Sequence, residues 1–211
     1  MDLSTGIVEP DRMKILLALF VFTGLVNGES VFDGKTLKGW HVQPKEGHLW
    51  RVEDGAIVGG TMKDKVPHNT FLSLEKRYGD FEMKLQIKLT GENPNAGVQI
   101  RSERMKDHHE MIGYQADVGP GWWGKLYDES RRNKVVGEWV SKEAGTAAKD
   151  GWNDYRIRCE GPRIRIWING ILTCDYTEEN KEIPLEGLIA VQAHSGAPFE
   201  VRYRNIEIEE L

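Results

Sequence analysis

Short runs in which apolar and polar residues alternate recur along this chain, and that pattern is typical of β-strands. Successive side chains of a strand point to opposite faces of a sheet, so an alternating run has one face suited to a core. The clearest run is 81–89, FEMKLQIKL, in which every second residue from Phe81 is apolar and the residues between are Glu, Lys and Gln. Because such runs are separated by Gly, Pro and Asn-Gly turns, and the sequence has no long helical pattern, we predict an all-β domain.

Three of the predicted strands carry two polar residues on one face, spaced two residues apart. The pairs are Gln99 with Arg101 in 96–101, Gln115 with Asp117 in 112–118, and Gln192 with His194 in 188–194. The opposite face of each strand is mainly apolar and suits a core. A sheet face that offers amide, guanidinium, carboxylate and imidazole groups is a plausible floor for a polar ligand. We therefore predict that these side chains converge on one site.

The segment after the second of these strands is rich in aromatic residues. Residues 119–124, GPGWWG, place Trp122 and Trp123 in irregular backbone marked by Gly and Pro. The two indoles form either a lid on the core or a platform for a sugar ring, because aromatic faces suit the C–H faces of pyranoses. The next run, KLYDE, predicts a strand with Tyr127 and Glu129 on one face and Asp128 on the other.

Length, charge and cysteine content narrow the class of protein. The chain has 211 residues, 39% of them hydrophobic, and a formal net charge of −5 without a block of Lys and Arg. That length buries one core of ordinary size, and the charge argues against a nucleic-acid partner. The turns at 161–162 and 169–170 place Cys159 and Cys174 opposite Ile164 and Arg165, on different faces of the strand between them. We therefore predict two free buried thiols.

The N-terminus has the pattern of an export signal. A short basic region begins at Met13, an apolar run follows over 15–26, and small residues precede residue 29 as at a cleavage site. The run is too short to span a bilayer comfortably, and no Cys follows it to carry a lipid anchor. We expect residues 1–28 to be an N-terminal extension and signal peptide, with translation starting at Met13. Residues 29–211 would then be one periplasmic or secreted domain without a stable membrane anchor.

Five motifs, in order along the chain, resemble those of the 3-keto-disaccharide hydrolase family. They are AGVQIRS, GYQADVG, KLYDE, GWNDYRIRC with IWING, and GLIAVQAHSG with VRYRNI, and the match runs from about Val31 to Ile208. The resemblance implies a concanavalin A-like jelly roll of two stacked antiparallel sheets, with the ligand on the concave one. That fold agrees with the strand pattern. The resemblance also implies, for some members, cleavage of glycosides whose sugar is oxidised at C3.

This implied reaction gives the polar residues candidate roles. A ketone at C3 acidifies the C2 hydrogen and lies β to the glycosidic oxygen, so the bond can break by elimination, followed by addition of water. The reaction needs a base at C2, a donor at the C3 oxygen, and an acid or metal at the leaving oxygen. His194 is the candidate base, or alternatively a metal ligand, because imidazole exchanges protons near neutral pH.

The other candidates divide between catalysis and binding. Arg101 could polarise the ketone or hold a hydroxyl, and Asp117 and Glu129 could hold a metal or assist the leaving group. Candidate substrate-binding residues are Gln99, Gln115, Gln192, Tyr127, Trp122 and Trp123. The sequence leaves a divalent metal ion open and indicates no other cofactor. Structural alternatives are an ion pair between Arg101 and Asp117, a backbone bond by His194, and a loop cap by Asp128.

Two other functions are compatible with the same fold. Laminarinase-like hydrolases carry three acids on one strand, as E-x-D-x-x-E or E-x-D-x-E, for retaining hydrolysis. Neither 127–129 nor 207–210 has that spacing. A non-catalytic sugar-binding module would need Trp122 or Trp123 and the glutamines, but no titrating His or clustered acids. We expect an enzyme that cleaves 3-keto-glycosides, with the binding module as the alternative.

Overall fold

The computed structural model describes Met1 and residues 28–211. The expected signal peptide, with its start at Met13, lies outside the described residues. Within them, no helix is long and apolar enough to cross a membrane. Apart from strands and turns, the described residues form two single-turn 3-10 helices, Gly47–Leu49 and Ala144–Thr146.

The strands follow the alternating runs of the sequence. Along the described residues they are β1 (Glu29–Ser30), β2 (Trp40–Val42), β3 (Trp50–Glu53), β4 (Ala56–Thr61), β5 (Thr70–Tyr78), β6 (Phe81–Gly91), β7 (Ala96–Arg104), β8 (Met111–Val118), β9 (Leu126–Glu129), β10 (Lys134–Gly137), β11 (Asn153–Glu160), β12 (Arg163–Ile168), β13 (Ile171–Thr177), β14 (Gly187–Ala193) and β15 (Phe199–Glu210).

Two antiparallel sheets contain all of these strands. The front sheet has the order β10-β9-β8-β7-β14-β5-β2, and the back sheet has the order β13-β12-β11-β6-β15-β4-β3, with β1 paired to β15. The three strands with polar pairs, β7, β8 and β14, are neighbours in the front sheet. Each sheet joins a run of consecutive strands, β7 to β10 or β11 to β13, to strands from distant parts of the sequence, as in a jelly roll. The predicted all-β jelly-roll fold is therefore confirmed.

The core lies between the sheets and is built from the apolar half of each alternating run. In β6, Phe81, Met83, Leu85 and Ile87 are buried, whereas Lys84 between them is exposed. Each large apolar side chain that is fully buried contributes about 1.5–3 kcal/mol to folding. A separate, smaller cluster of buried apolar side chains on the front sheet contains Phe71, Met111 and Ala190.

Two buried tyrosines of the back sheet reach across the core to the front sheet. The Tyr155 hydroxyl donates to the carbonyl oxygen of Asp117 at 2.9 Å. The Tyr203 hydroxyl lies 2.6 Å from the carbonyl oxygen of Gln192 and 3.1 Å from that of Gly97. These hydrogen bonds fix the backbones of β8, β14 and β7 from the core side of the front sheet. Two of the three acceptors, Asp117 and Gln192, belong to the predicted polar pairs.

Both cysteines are buried and free, as predicted. The prediction that the two cysteines lie opposite residues on different faces of β12 was nevertheless wrong for Cys174. Cys159 pairs with Ile164 as expected, but Cys174 pairs with Ile166 because a bulge shifts the register between β12 and β13. Both thiols therefore belong to the core side of the back sheet.

Candidate functional site

A polar cavity of 180 Å³ lies on the outer face of the front sheet. We call it the front cavity. Its lining residues are Asn69, Asn95, Gln115, Asp117, Trp122, Tyr127, Glu129 and His194. Six of these eight come from the predicted polar pairs, the aromatic segment and the KLYDE strand. The period of two in β8 and β9 brings them together, because Gln115 pairs with Tyr127 across the two strands.

A chain of buried hydrogen bonds runs along the floor of the front cavity and ends on a carboxylate. The Ser102 hydroxyl donates to Gln99 Oε1 at 2.7 Å, and Gln99 Nε2 donates to Gln115 Oε1 at 3.0 Å. Gln115 Nε2 then donates to Asp117 Oδ1 at 2.8 Å. Each amide has its oxygen and nitrogen fixed by its neighbours, so the chain sets the orientation of Asp117. The second carboxyl oxygen, Oδ2, has no partner among the described residues.

Gly97 makes room for this chain. A Cβ at that position would lie 2.5 Å from Gln115 Cδ and 2.6 Å from its Cγ, inside the contact distance of two carbons. Gly97 pairs with Asp117 on β8, and the Gln115 side chain lies over the Gly97 backbone. Only glycine allows an amide side chain to pack this close to the strand.

Two carboxyl groups of the front cavity titrate near neutrality. Burial raises the pKa of Asp117 to about 7, the bond from Gln115 opposes that rise, and the Glu129 charge adds to it. Burial also raises the pKa of Glu129 to about 7, helped by the Glu110 charge and opposed by the Ser130 N–H. Each group can therefore give or take a proton close to pH 7, which general acid–base chemistry requires.

His194 lies in the turn after β14, and its ring is held by the backbone. Nδ1 lies 2.7 Å from the carbonyl oxygen of Ser195. A carbonyl oxygen only accepts, so Nδ1 carries the hydrogen and Nε2 of the neutral ring keeps its lone pair. The turn is fixed on both sides, because His194 N–H donates to Asn95 O at 3.2 Å and Ser195 N–H donates to Asn69 Oδ1 at 3.0 Å.

Residues 27–209 match the model of a family described as the 3-keto-alpha-glucoside-1,2-lyase-like domain. The chain belongs to this family. The resemblance seen in the five sequence motifs is thereby confirmed. No curated protein sequence matches the chain significantly.

Solved structures similar to this family member share its jelly roll. A protein named as a candidate glycosyl hydrolase from Parabacteroides distasonis is 18% identical, with a TM-score of 0.67 over 88% of this chain and 94% of that one. The carbohydrate-binding module CBM66 of Bacillus subtilis is 16% identical, with a TM-score of 0.62 over 82% and 96%. The carbohydrate recognition domain of Emp46p is 10% identical, with a TM-score of 0.62 over 82% and 89%. At these identities the likeness concerns the fold alone.

In this family member, Arg101 does not join the front cavity. A β-bulge in β7 gives Arg101 a φ of 47° and breaks the alternation that sequence reasoning assumed. Its guanidinium instead donates to the Asp80 carboxylate at 2.9 Å and to the carbonyl of Gly79. The expectation that Arg101 shares the face of Gln99 was therefore wrong, and so was the alternative of an ion pair with Asp117.

The two neighbouring tryptophans have different surroundings. Trp122 is 38% exposed and lines the front cavity, with its ring centroid 6.4 Å from that of Tyr127. Trp123 packs against the core, 6.3 Å from the ring of Tyr155, and its carbonyl accepts from Trp139 Nε1. Of the two candidate binding indoles, Trp122 alone lines the front cavity, whereas Trp123 takes the alternative role of a lid on the core.

Two of the predicted glutamines lie beneath or beside the front cavity instead of lining it. Gln99 is fully buried and holds Gln115. Gln192 is also fully buried, and neither its side-chain oxygen nor its nitrogen has a partner among the described residues. Asp128 lies on the opposite face of β9, and its carboxylate forms an ion pair with Arg131 at 2.8 Å. This contact within the following turn agrees with the alternative in which Asp128 has a structural role in the loop.

Sequence reasoning missed Asn69 and Asn95. Asn69 precedes β5, accepts from the turn of His194, and donates through Nδ2 to Glu110 at 3.1 Å. Asn95 precedes β7 and keeps a buried Oδ1 without a partner among the described residues. Single asparagines are ordinary in turns, so nothing in their spacing distinguished them.

Metal binding was left open by the sequence. Among the described residues, no three His, Cys, Asp or Glu side chains are arranged to hold a metal ion.

Proposed function

We propose that this domain cleaves 3-keto-glucosides by elimination at the glycosidic bond. Membership of the family supports the substrate class. The observation that carries the proposal is that one polar cavity contains His194, Asp117 and Glu129. His194 has a free Nε2, and the pKa values of both carboxyl groups are raised to about 7.

The elimination needs two proton transfers and no oxidant. A base removes the C2 proton, and the C–H electrons form an enolate with the C3 oxygen. The enolate then re-forms the ketone, a C1=C2 double bond appears, and the C1–O bond breaks with its electrons going to the leaving oxygen. That oxygen takes a proton from an acid. Addition of water at C1, with a proton returned to C2, gives the free 3-keto sugar.

The side chains of the front cavity suit these steps. In our proposal, His194 Nε2 is the base, because Nδ1 is already committed to a carbonyl. Glu129 donates the proton to the leaving oxygen, because a carboxyl whose pKa is about 7 is still protonated in about half of the molecules at pH 7, where an ordinary glutamate is ionised. The Nδ2–H of Asn95, which lines the front cavity, donates to the C3 oxygen in this proposal, and Asp117 holds a hydroxyl with its unpartnered Oδ2.

A non-catalytic sugar-binding module is the second candidate. The exposed indole of Trp122, beside a cavity lined by amides, favours it. Binding of this kind would use Trp122, Tyr127 and Gln115 and would not depend on a titrating histidine. Turnover therefore separates the two candidates.

The test compares a 3-keto-glucoside with its unoxidised parent, each carrying either a nitrophenyl or an alkyl leaving group. We expect release from the ketones only, and a loss of about 10²–10⁴-fold in His194→Gln. Glu129→Gln should slow the alkyl ketone far more than the nitrophenyl ketone, because a good leaving group does not need an acid. His41→Gln and Glu179→Gln, exposed and outside the front cavity, are the matched controls.

Two results would contradict the proposal. Binding of both sugars without release would favour the module. Full turnover by His194→Gln would remove the base from the mechanism while leaving the substrate class intact.

Export is a separate proposal, which depends only on residues 13–28. We propose that the segment directs secretion and is removed near residue 29. Mass spectrometry of the protein expressed with its full N-terminus should find the processed chain outside the cytoplasm. An unprocessed chain in the cytoplasm would contradict it.

A further inference from the structure

A second hollow, larger than the front cavity, lies on the outer face of the back sheet. Its volume is 420 Å³, against 180 Å³ for the front cavity. Pockets that hold small organic ligands commonly measure about 300–1,000 Å³. We call it the back hollow. Its lining includes Lys84, Gln86, Asp154, Arg156, Trp167, Asn205 and Glu207.

Strand register explains why these side chains share one face. Trp167 of β12 pairs with Arg156 of β11, Arg156 pairs with Lys84 of β6, and Lys84 pairs with Glu207 of β15. Paired residues project to the same face of a sheet. One row of outward side chains therefore crosses four strands, and Asp154 and Gln86 begin the next row.

A β-bulge in β15 separates the two rows. Arg204 pairs with Gln86 and Glu207 pairs with Lys84, so two residues of β15 oppose a single residue of β6. Asn205, within the bulge, has a φ of 52°, and its Nδ2 donates to Gln86 Oε1 at 3.1 Å. Bulges bend a strand and redirect its side chains, often next to binding sites. Here the bulge places an amide between the rows, at the wall of the back hollow.

The lining combines an aromatic wall with balanced charge. The Arg156 guanidinium carbon lies 4.2 Å from the centroid of the Trp167 ring, and the Arg156 Nε–H is buried without a partner among the described residues. Lys84 and Arg156 are matched by Asp154 and Glu207, so no excess charge selects an ion. Donors, acceptors and an apolar ring surface together suit a molecule with O–H and C–H groups and no charge.

We propose that the back hollow binds a neutral sugar residue of a glycan. This site and the front cavity lie on opposite sheets, so each can be occupied while the other is free. The domain would bind a glycan on its back sheet whether or not a ligand occupies the front cavity. This inference does not depend on the proposed elimination, because binding at the back hollow needs no turnover.

The test maps binding by NMR on the isotope-labelled full chain. The probes are maltotriose, cellotriose and xylotriose, each added up to about 10 mM, where a site with a Kd of about 1 mM would be mostly filled. We expect at least one trisaccharide to shift the Trp167 indole N–H and the backbone amides of Gly170 and Asn205. We expect Trp167→Ala to weaken that binding about tenfold or more. Trp122→Ala, the matched tryptophan variant of the front cavity, should leave it unchanged.

A second variant protects the test against misfolding. Asn205→Gly keeps the left-handed backbone of the bulge, which glycine adopts freely, and removes the amide from the back hollow. It should also weaken trisaccharide binding while the thermal midpoint stays close to that of the unsubstituted chain. The proposal is overturned if no trisaccharide shifts these signals, or if the shifts persist in both variants. Shifts confined to the surroundings of Trp122 would also overturn it.

Discussion

Gly97→Ala should disrupt the front cavity through one side chain, Gln115. The new Cβ would lie 2.5 Å from Gln115 Cδ, whereas ordinary contact lies at 3.4–4 Å, so the glutamine has to move by about 1 Å. That movement breaks its bonds with Gln99 and Asp117. The two bonds contribute about 0.5–1.5 and 1.5–3 kcal/mol.

The expected net effect follows from these contributions. Replacing a strand glycine by alanine by itself gains about 0.5–1 kcal/mol. We therefore expect Gly97→Ala to destabilise the domain by about 1–4 kcal/mol, measured by urea unfolding. Turnover of a 3-keto-glucoside should fall as well, because Asp117 loses the donor that orients it. Gly79→Ala is the matched control, since the nearest atom to its new Cβ is 4.0 Å away.

A double-mutant cycle decides whether the clash is the cause. In a Gln115→Ala background the obstructing side chain is gone, so adding Gly97→Ala should be neutral or slightly stabilising. If Gly97→Ala destabilises both backgrounds equally, the reasoning from the Gln115 contact is refuted.

Four further predictions follow from the same geometry. Burial raises the pKa of Asp117 to about 7 from 3.8, so its stabilising effect is present below about pH 4 and is lost as pH rises through 7. Asp117→Asn lacks this pH dependence. Between pH 5 and pH 8, the free energy of unfolding of this variant should therefore rise by about 2–3 kcal/mol relative to that of the unsubstituted domain, as measured by urea unfolding at each pH. Tyr155→Phe should cost only about 1 kcal/mol in urea unfolding, because the Asp117 carbonyl also accepts from the Gly124 N–H. Activity on an alkyl 3-keto-glucoside should fall above about pH 7 as Glu129 loses its proton, and a pH–rate profile of Glu129→Gln should lack that limb. Trp122→Ala should raise KM about tenfold in initial-rate assays and leave the thermal midpoint nearly unchanged, because its indole is exposed.

The fold could be predicted from sequence where local pattern determines the outcome. The alternation over 81–89 corresponds to β6, whose apolar residues lie in the core. Alternate side chains of a strand point to opposite faces, so when one face is buried the pattern determines which residues are buried. Gln115 and Asp117 were assigned to one face for the same reason, and both line the front cavity.

The errors come from β-bulges and loop packing, which the alternation of apolar and polar residues does not reveal. No glycine marks the bulge at Arg101, where a non-glycine residue adopts a positive φ, so simple alternation placed that side chain on the wrong face. The register of Cys174 shifted by one residue at another bulge. Asn69 and Asn95 enter the front cavity only because the turn of His194 packs against their loops.

The fate of the C2 hydrogen tests the central claim most directly. A 3-keto-glucoside deuterated at C2 is incubated with the full chain, and the released sugar is examined by mass spectrometry at early times against an enzyme-free control. Elimination predicts that the product has lost its C2 deuterium to water, either as the enone or as the hydrated 3-keto sugar, and that His194→Gln releases almost none. A released sugar that keeps its deuterium would contradict the proposed elimination.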